Sequence, residues 1–108
     1  MKPILAAAFA VALASPLVVQ AQDVAGAEAL MKKSGCFKCH SVTAKKDGPS
    51  YKSVAEKYKG KPDAEEKLIK HITTGPTVKV DGKEERHEII KTKDEKEIKN
   101  VVQYILSR

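Results

Sequence analysis

Two cysteines and a histidine stand together at Cys36, Cys39 and His40, and no other segment of this chain is as well equipped for chemistry. Two thiols with two residues between them, followed at once by an imidazole, form the pattern C-x-x-C-H. The thiols can add to the two vinyl groups of one porphyrin, and a neutral imidazole is a strong axial ligand for iron. The pattern therefore predicts one covalently attached haem c.

Other uses of the cysteine pair fit this chain poorly. A structural zinc site needs four ligands, whereas the chain has two cysteines, and His71 and His87 are not at zinc-finger spacing. A thioredoxin-like redox pair needs a βαβ context, which the hydrophobic pattern does not show. A disulfide at this spacing is sterically awkward and leaves His40 without a role, so we expect none.

The N-terminus has the pattern of a secretory signal peptide. Lys2 is positively charged, residues 4–14 are almost continuously apolar, and Val-Gln-Ala at residues 19–21 is a small-residue cleavage site. A membrane anchor is the alternative, but the apolar run is too short to span a bilayer. We expect residues 1–21 to be removed and residues 22–108 to form one exported, periplasmic domain without stable membrane insertion.

Composition and charge limit the functions of this domain. Its small size predicts a marginal core, which a buried porphyrin would enlarge. Its net charge is +5 once Lys2 is lost, and this excess favours an acidic redox partner. Nucleic acid is not an expected partner, because the chain is exported and its acidic residues are interleaved with the lysines.

Hydrophobic spacing predicts an all-α fold with about four helices. The first runs from Val24 to Lys33, the second from Tyr51 to a stop at Gly60, and the third from Asp63 to Gly75. The last helix carries apolar residues between positions 98 and 105. Two pairs have the spacing of a capping box, Asp63 with Glu66 and Thr92 with Glu95.

The long loop before the last helix predicts a short hairpin. Val78 and Val80 alternate with polar residues and are followed by Asp81-Gly82, which is typical of a tight β-turn.

The expected domain resembles a short bacterial class I cytochrome c over essentially its whole length. Its first helix leads into the C-x-x-C-H motif, Gly-Pro-Ser-Tyr at residues 48–51 is similar to the family's G-P-x-Y/L turn, and Tyr-Ile-Leu-Ser at residues 104–107 is similar to the end of its last helix. The resemblance implies that the first and last helices cross beside one covalently bound haem. It also implies that the carbonyl of Pro49 accepts a hydrogen bond from His40.

The sixth iron ligand departs from this family pattern. Such cytochromes usually supply a methionine from the loop before the last helix, but residues 76–93 contain none. Met31 lies in the first helix, where the resemblance implies that it packs against Tyr104. Counted back from Tyr104, His87 falls where the methionine is expected, so we expect a low-spin haem bound by His40 and His87. An open site is one alternative, and ligation by a lysine is the other, with candidates Lys79, Lys83 and Lys91.

The resemblance implies a diffusible electron carrier rather than an enzyme, and no acid–base constellation accompanies the haem motif. The alternative is a gas-binding or gas-sensing haem protein with an open or displaceable distal site. His71, on the third helix, is expected at the helix surface or near a haem propionate. We expect a monomer, with a dimer that exchanges the His87 loop as the alternative. Six lysines near the motif either frame a docking surface or are ordinary surface residues: Lys32, Lys33, Lys38, Lys45, Lys46 and Lys52.

Cys36→Ala and Cys39→Ala test the attachment chemistry. Each thiol holds one side of the porphyrin, so either change should weaken or abolish stable holoprotein. Without haem, the small core should also lose cooperative folding. Mass spectrometry measures the haem adduct, and thermal unfolding measures cooperativity. Full covalent haem in the double alanine variant would contradict the prediction.

Overall fold

The computed structural model describes residues 2–4, 7–8, 10–12 and 22–108. The expected cleavage site at residues 19–21, and part of the apolar run before it, lie outside the described residues. Within those residues, none of the helices has both the length and the apolar character needed to cross a membrane.

Within residues 22–108, four α-helices and one hairpin make up the domain. The elements are α1 (Val24–Lys33), α2 (Tyr51–Tyr58), α3 (Ala64–Thr74), β1 (Thr77–Val80), β2 (Lys83–Arg86) and α4 (Glu95–Leu106). A short 3-10 turn, Cys36–Lys38, follows α1. The predicted helices are confirmed, and so is the hairpin, whose antiparallel register places Thr77 opposite Arg86. Asp81 and Gly82 form its turn with φ values of 51° and 77°, as the Asp-Gly pair predicts.

Three of these helices have an N-cap residue whose side-chain oxygen accepts a hydrogen bond. Asp23, Ser50 and Asp94 each accept a hydrogen bond from a backbone N–H in the first turn that follows. Such caps contribute about 1 kcal/mol each to helix stability, because they satisfy donors that have no partner inside the helix. The donors are Gly26, Ser53 and Lys96, at 2.8, 3.1 and 2.9 Å.

Both predicted capping boxes are wrong. Asp63 occupies the N-cap position of α3, but its side chain makes no capping hydrogen bond. Its carboxylate pairs with Lys67 at 3.0 Å instead. Helix α4 begins at Glu95, so its cap is Asp94 rather than Thr92, and the Thr92 hydroxyl instead accepts a hydrogen bond from the Asp94 N–H at 3.1 Å. In both places the side chain that the pattern predicts as a helix cap interacts with a different nearby group.

The core lies where α4 packs against α1, α2 and α3. Met31 of α1 and Tyr104 of α4 are 0% and 1% exposed and belong to the same buried cluster. The Tyr104 hydroxyl donates to Glu28 at 3.0 Å, so the buried ring keeps its polar end satisfied. Met31 is therefore a core residue at the α1–α4 contact, as the sequence predicts.

A pair of hydrogen bonds ties the start of α1 to α4. The backbone N–H of Asp23 donates to Asn100 Oδ1 at 3.0 Å, and Asn100 Nδ2 donates to the Asp23 carbonyl at 2.8 Å. Because one amide side chain satisfies both main-chain groups, it fixes the position of α1 relative to α4.

Asn100→Ala should therefore lower the free energy of unfolding by about 1–2 kcal/mol, since two hydrogen bonds are lost together. Denaturant unfolding of the holoprotein measures this change. Lys99→Ala, at the exposed neighbouring position, is the control and should change stability by less than about 0.5 kcal/mol. Equal effects of the two substitutions would contradict a special role for Asn100.

Candidate haem site

The C-x-x-C-H motif folds into one compact turn directly after α1. Gly35 reverses the chain with a φ of 76°, and the N–H groups of Cys39 and His40 both donate to the Cys36 carbonyl, at 3.2 and 3.0 Å. Both cysteines are half-buried and line one cavity together with His40. Burial raises the pKa of the Cys36 thiol. The turn thus presents two thiols and one imidazole to the same space.

A hydrogen bond to a main-chain carbonyl orients the imidazole of His40. Its Nδ1 lies 2.7 Å from the carbonyl oxygen of Pro49, the contact that the sequence resemblance implies. A carbonyl can only accept, so Nδ1 carries the proton and Nε2 keeps its lone pair for a metal. Burial lowers the pKa of His40, opposed by the hydrogen bond to Pro49. The neutral form that metal binding requires is therefore favoured.

His87 follows directly after β2 and is oriented in the same way. Its Nδ1 lies 2.8 Å from the carbonyl oxygen of Glu88, which again leaves Nε2 as the nitrogen with a lone pair. Its own N–H donates to the carbonyl of Pro76 at 2.9 Å. The ring is half-buried and lines the cavity that contains the cysteines.

The two imidazoles are separated by the distance that a shared metal requires. The ring centroids of His40 and His87 are 6.0 Å apart, and the ring planes are tilted by 49°. A metal–imidazole nitrogen bond is about 2 Å long, so two imidazoles on opposite sides of one ion have centroids about 6 Å apart. Residues 47 positions apart in sequence are thus brought to a spacing that suits bis-imidazole coordination.

The third histidine, His71 of α3, packs against His87. Their ring centroids are 4.2 Å apart, too close for the two rings to bind opposite sides of one ion. Burial lowers the pKa of His71, and the nearby His87 lowers it further. His71 is half-buried and lines the cavity. Its proximity to a propionate stays a prediction.

The cavity has the size of an ordinary ligand pocket and an apolar lining that suits a porphyrin. Its volume is about 410 Å³, and ligand pockets typically measure about 300–1,000 Å³. Helices α2, α3 and α4 supply an apolar wall, while the thiols and imidazoles lie at the motif turn and the His87 loop. The residues present therefore fit a covalently attached haem. The apolar wall includes Val54, Leu68, Ile72, Val101 and Ile105.

The lysines that could replace His87 are less well placed. Lys79, Lys83 and Lys91 all have exposed side chains. Among them, Lys79 lines the cavity, and Lys83 and Lys91 are not part of its wall.

Two residues on the His40 side were not predicted as part of the site. The Tyr51 ring stacks on His40 with centroids 5.0 Å apart and planes tilted by 26°. A Cβ at Gly48 would lie 2.6 Å from His40 Cε1, so only glycine allows this close approach. Both residues belong to the Gly-Pro-Ser-Tyr turn, which was a usable signal, but the turn pattern does not reveal what its side chains touch.

Comparisons with known proteins all indicate the same family. The cytochrome c family profile matches residues 24–108. Cytochrome c-551 of Allochromatium vinosum is 48% identical over 46 residues, which cover 43% of this chain and 49% of that protein. This chain spans about half the length of the curated relatives that it matches.

Solved structures agree over a larger share of the fold. The class 1 cytochrome MtoD from Sideroxydans lithotrophicus ES-1 is 55% identical, with a TM-score of 0.77, covering 81% of this chain and 97% of that chain. Cytochrome c552 of Nitrosomonas europaea is 28% identical, with a TM-score of 0.58, covering 74% of this chain and 96% of that chain. The C-x-x-C-H turn, the cavity and these matches together show that the chain belongs to the cytochrome c family, as a short class I member with one covalently attached haem c.

Proposed function

We propose that this protein is an electron carrier in which His40 and His87 bind the haem iron from opposite sides. The observation that carries the proposal is the 6.0 Å separation of their ring centroids. The orientation of both rings supports it, because a main-chain carbonyl holds each Nδ1 and leaves each Nε2 as the metal-binding atom.

The chain's residues then limit the chemistry to electron exchange. Haem c, when bound, supplies a one-electron couple between ferric and ferrous iron. His40 and His87 would together hold the iron of this haem, so neither a substrate nor a gas molecule would find an open coordination site. The carbonyls of Pro49 and Glu88 keep the rings in one orientation, so that little ligand movement accompanies the change in charge.

The domain boundaries and cellular location follow from the N-terminus. Residues 1–21 act as a signal peptide that is removed on export, and residues 22–108 form the periplasmic carrier. Two observations support this boundary: α1 begins at Val24 after its cap at Asp23, and the family match also begins at residue 24.

The physiological partners are acidic redox proteins, and the carrier acts as a monomer. The excess of basic residues supports the choice of acidic partners, as does the exposure of all six lysines near the haem motif. Lys46 donates to the carbonyl of Phe37 at 2.7 Å, which fixes one positive charge beside the motif turn. Opposite charge on a partner would accelerate encounter at this face.

His87→Ala tests the ligand assignment. Loss of the imidazole should open one axial position, which gives a high-spin component and faster binding of carbon monoxide. His87→Met should raise the reduction potential if the thioether reaches the iron, since methionine favours the ferrous state. Absorption and electron paramagnetic resonance spectra of the ferric holoprotein measure the spin state, and redox titration measures the potential.

His71→Ala is the comparison for this experiment, because it removes an imidazole from the same cavity. It should keep the low-spin spectrum. If His87→Ala stayed low-spin while His71→Ala did not, the assignment of the sixth ligand would be wrong. An unmodified protein that binds carbon monoxide rapidly would instead favour a gas-binding function.

Reversing lysine charges tests the docking face. Replacement of Lys38 and Lys45 by Glu should slow electron transfer with an acidic redox protein by about tenfold or more at low salt. The same changes at Lys96 and Lys99 of α4 are the charge-matched control and should have a smaller effect. Stopped-flow rates measured across a salt series should also converge as screening increases. Equal effects of the two pairs would show that Lys38 and Lys45 are ordinary surface residues rather than part of a docking surface.

A further inference from the structure

The loop that carries His87 is attached to the C-terminal end of α3. The N–H of His87 donates to the carbonyl of Pro76, and the N–H of Ile90 donates to the carbonyl of Ile72, both at 2.9 Å. The last carbonyls of a helix have no partner within it. The Ile72 carbonyl, in the last turn of α3, thus finds its donor in the loop that holds the proposed ligand.

Arg86, the residue before His87, adds a side-chain attachment at the same place. Its Nε donates to the carbonyl of Gly75 at 3.2 Å, and its Nη2 donates to the carbonyl of Thr74 at 3.3 Å. A cation at a helix C-terminus is also favoured by the helix dipole. One guanidinium therefore joins the last residue of α3, the residue that follows it, and the end of β2.

Gly75 permits the close approach on which this attachment depends. Its φ is +61°, and a Cβ there would lie 2.8 Å from the carbonyl oxygen of His87 and 3.0 Å from Ile89 Cγ1. The nearest atom is main chain, so it could not give way without moving His87 itself. Gly60 has a similar φ of +73°, but a Cβ there would meet nothing within 4 Å.

We propose that Gly75 and Arg86 are positioning residues that set the distance of His87 from His40. Gly75 lets the loop approach the end of α3, and Arg86 fastens it there. The ligand is thus placed against the end of a helix, although it belongs to a segment without regular structure. This inference rests on the proposed ligation by His87.

Gly75→Ala in the haem-loaded protein tests the inference, with Gly60→Ala as the matched control. Both variants place alanine at a positive φ and share that strain, but only the Cβ of Gly75→Ala would clash with the His87 carbonyl. Gly75→Ala should acquire a high-spin ferric component, and its carbon monoxide binding should be faster by about tenfold, which corresponds to about 1.4 kcal/mol less stability of the His87-bound state. Added imidazole should restore its low-spin spectrum. Gly60→Ala should keep the wild-type spectrum and rate.

Arg86→Ala is the second test, and it decides the matter if Gly75→Ala does not fold. It introduces no clash and should change spin state and carbon monoxide binding in the same direction, while Lys83→Ala on the same strand should not. Wild-type spectra and rates in both Gly75→Ala and Arg86→Ala would overturn the proposal. If those two remained wild-type while His87→Ala became high-spin, ligation by His87 would stand and positioning alone would fail. If His87→Ala itself stayed wild-type, the ligand assignment would fail and the positioning proposal with it.

Discussion

The hydrogen bonds from two imidazoles to two main-chain carbonyls are the constraint on which this site depends. Pro49 and Glu88 accept from Nδ1 of His40 and His87, at 2.7 and 2.8 Å. Because a carbonyl cannot donate, each ring is held in the tautomer that leaves Nε2 available for a metal. A hydrogen bond from the far nitrogen of a metal-binding imidazole orients the ring and raises its basicity. The rest of the fold brings the two rings to a centroid separation of 6.0 Å, which suits binding to one metal ion.

The helices achieve this by fixing the segments on either side of the cavity. Helix α1 delivers the cysteine turn, α2 begins just after Pro49, and α3 ends where the His87 loop is attached. Helix α4 packs against all three and forms the shared core. A domain of this size buries little apolar surface by itself. The apolar wall of the cavity would contribute to that core once haem covers it.

The hairpin brings His87, the proposed second ligand, back to the end of α3. Strands β1 and β2 carry the chain away from α3 and back again, so that Arg86 and His87 return to the end of the same helix. His71 lies beside His87, on the helix to which the loop returns. The loop is thereby held at the end of α3, and the Lys91 N–H adds a second attachment by donating to Ser34 Oγ at 3.0 Å.

Residue identity and short-range spacing determined most of the architecture from the sequence alone. The C-x-x-C-H motif predicts the attached haem, helical periodicity locates α1 at Val24–Lys33, and Asp81-Gly82 predicts the hairpin. Both capping boxes failed because Asp63 and Thr92 found other partners that the pattern does not include. The position of His87 suggested a ligand, but its 6.0 Å distance from His40 and the need for glycine at Gly75 depend on tertiary structure. The physical reason is that hydrogen bonding within a few residues sets local structure, whereas ring separations and close main-chain approaches arise only when distant segments pack together.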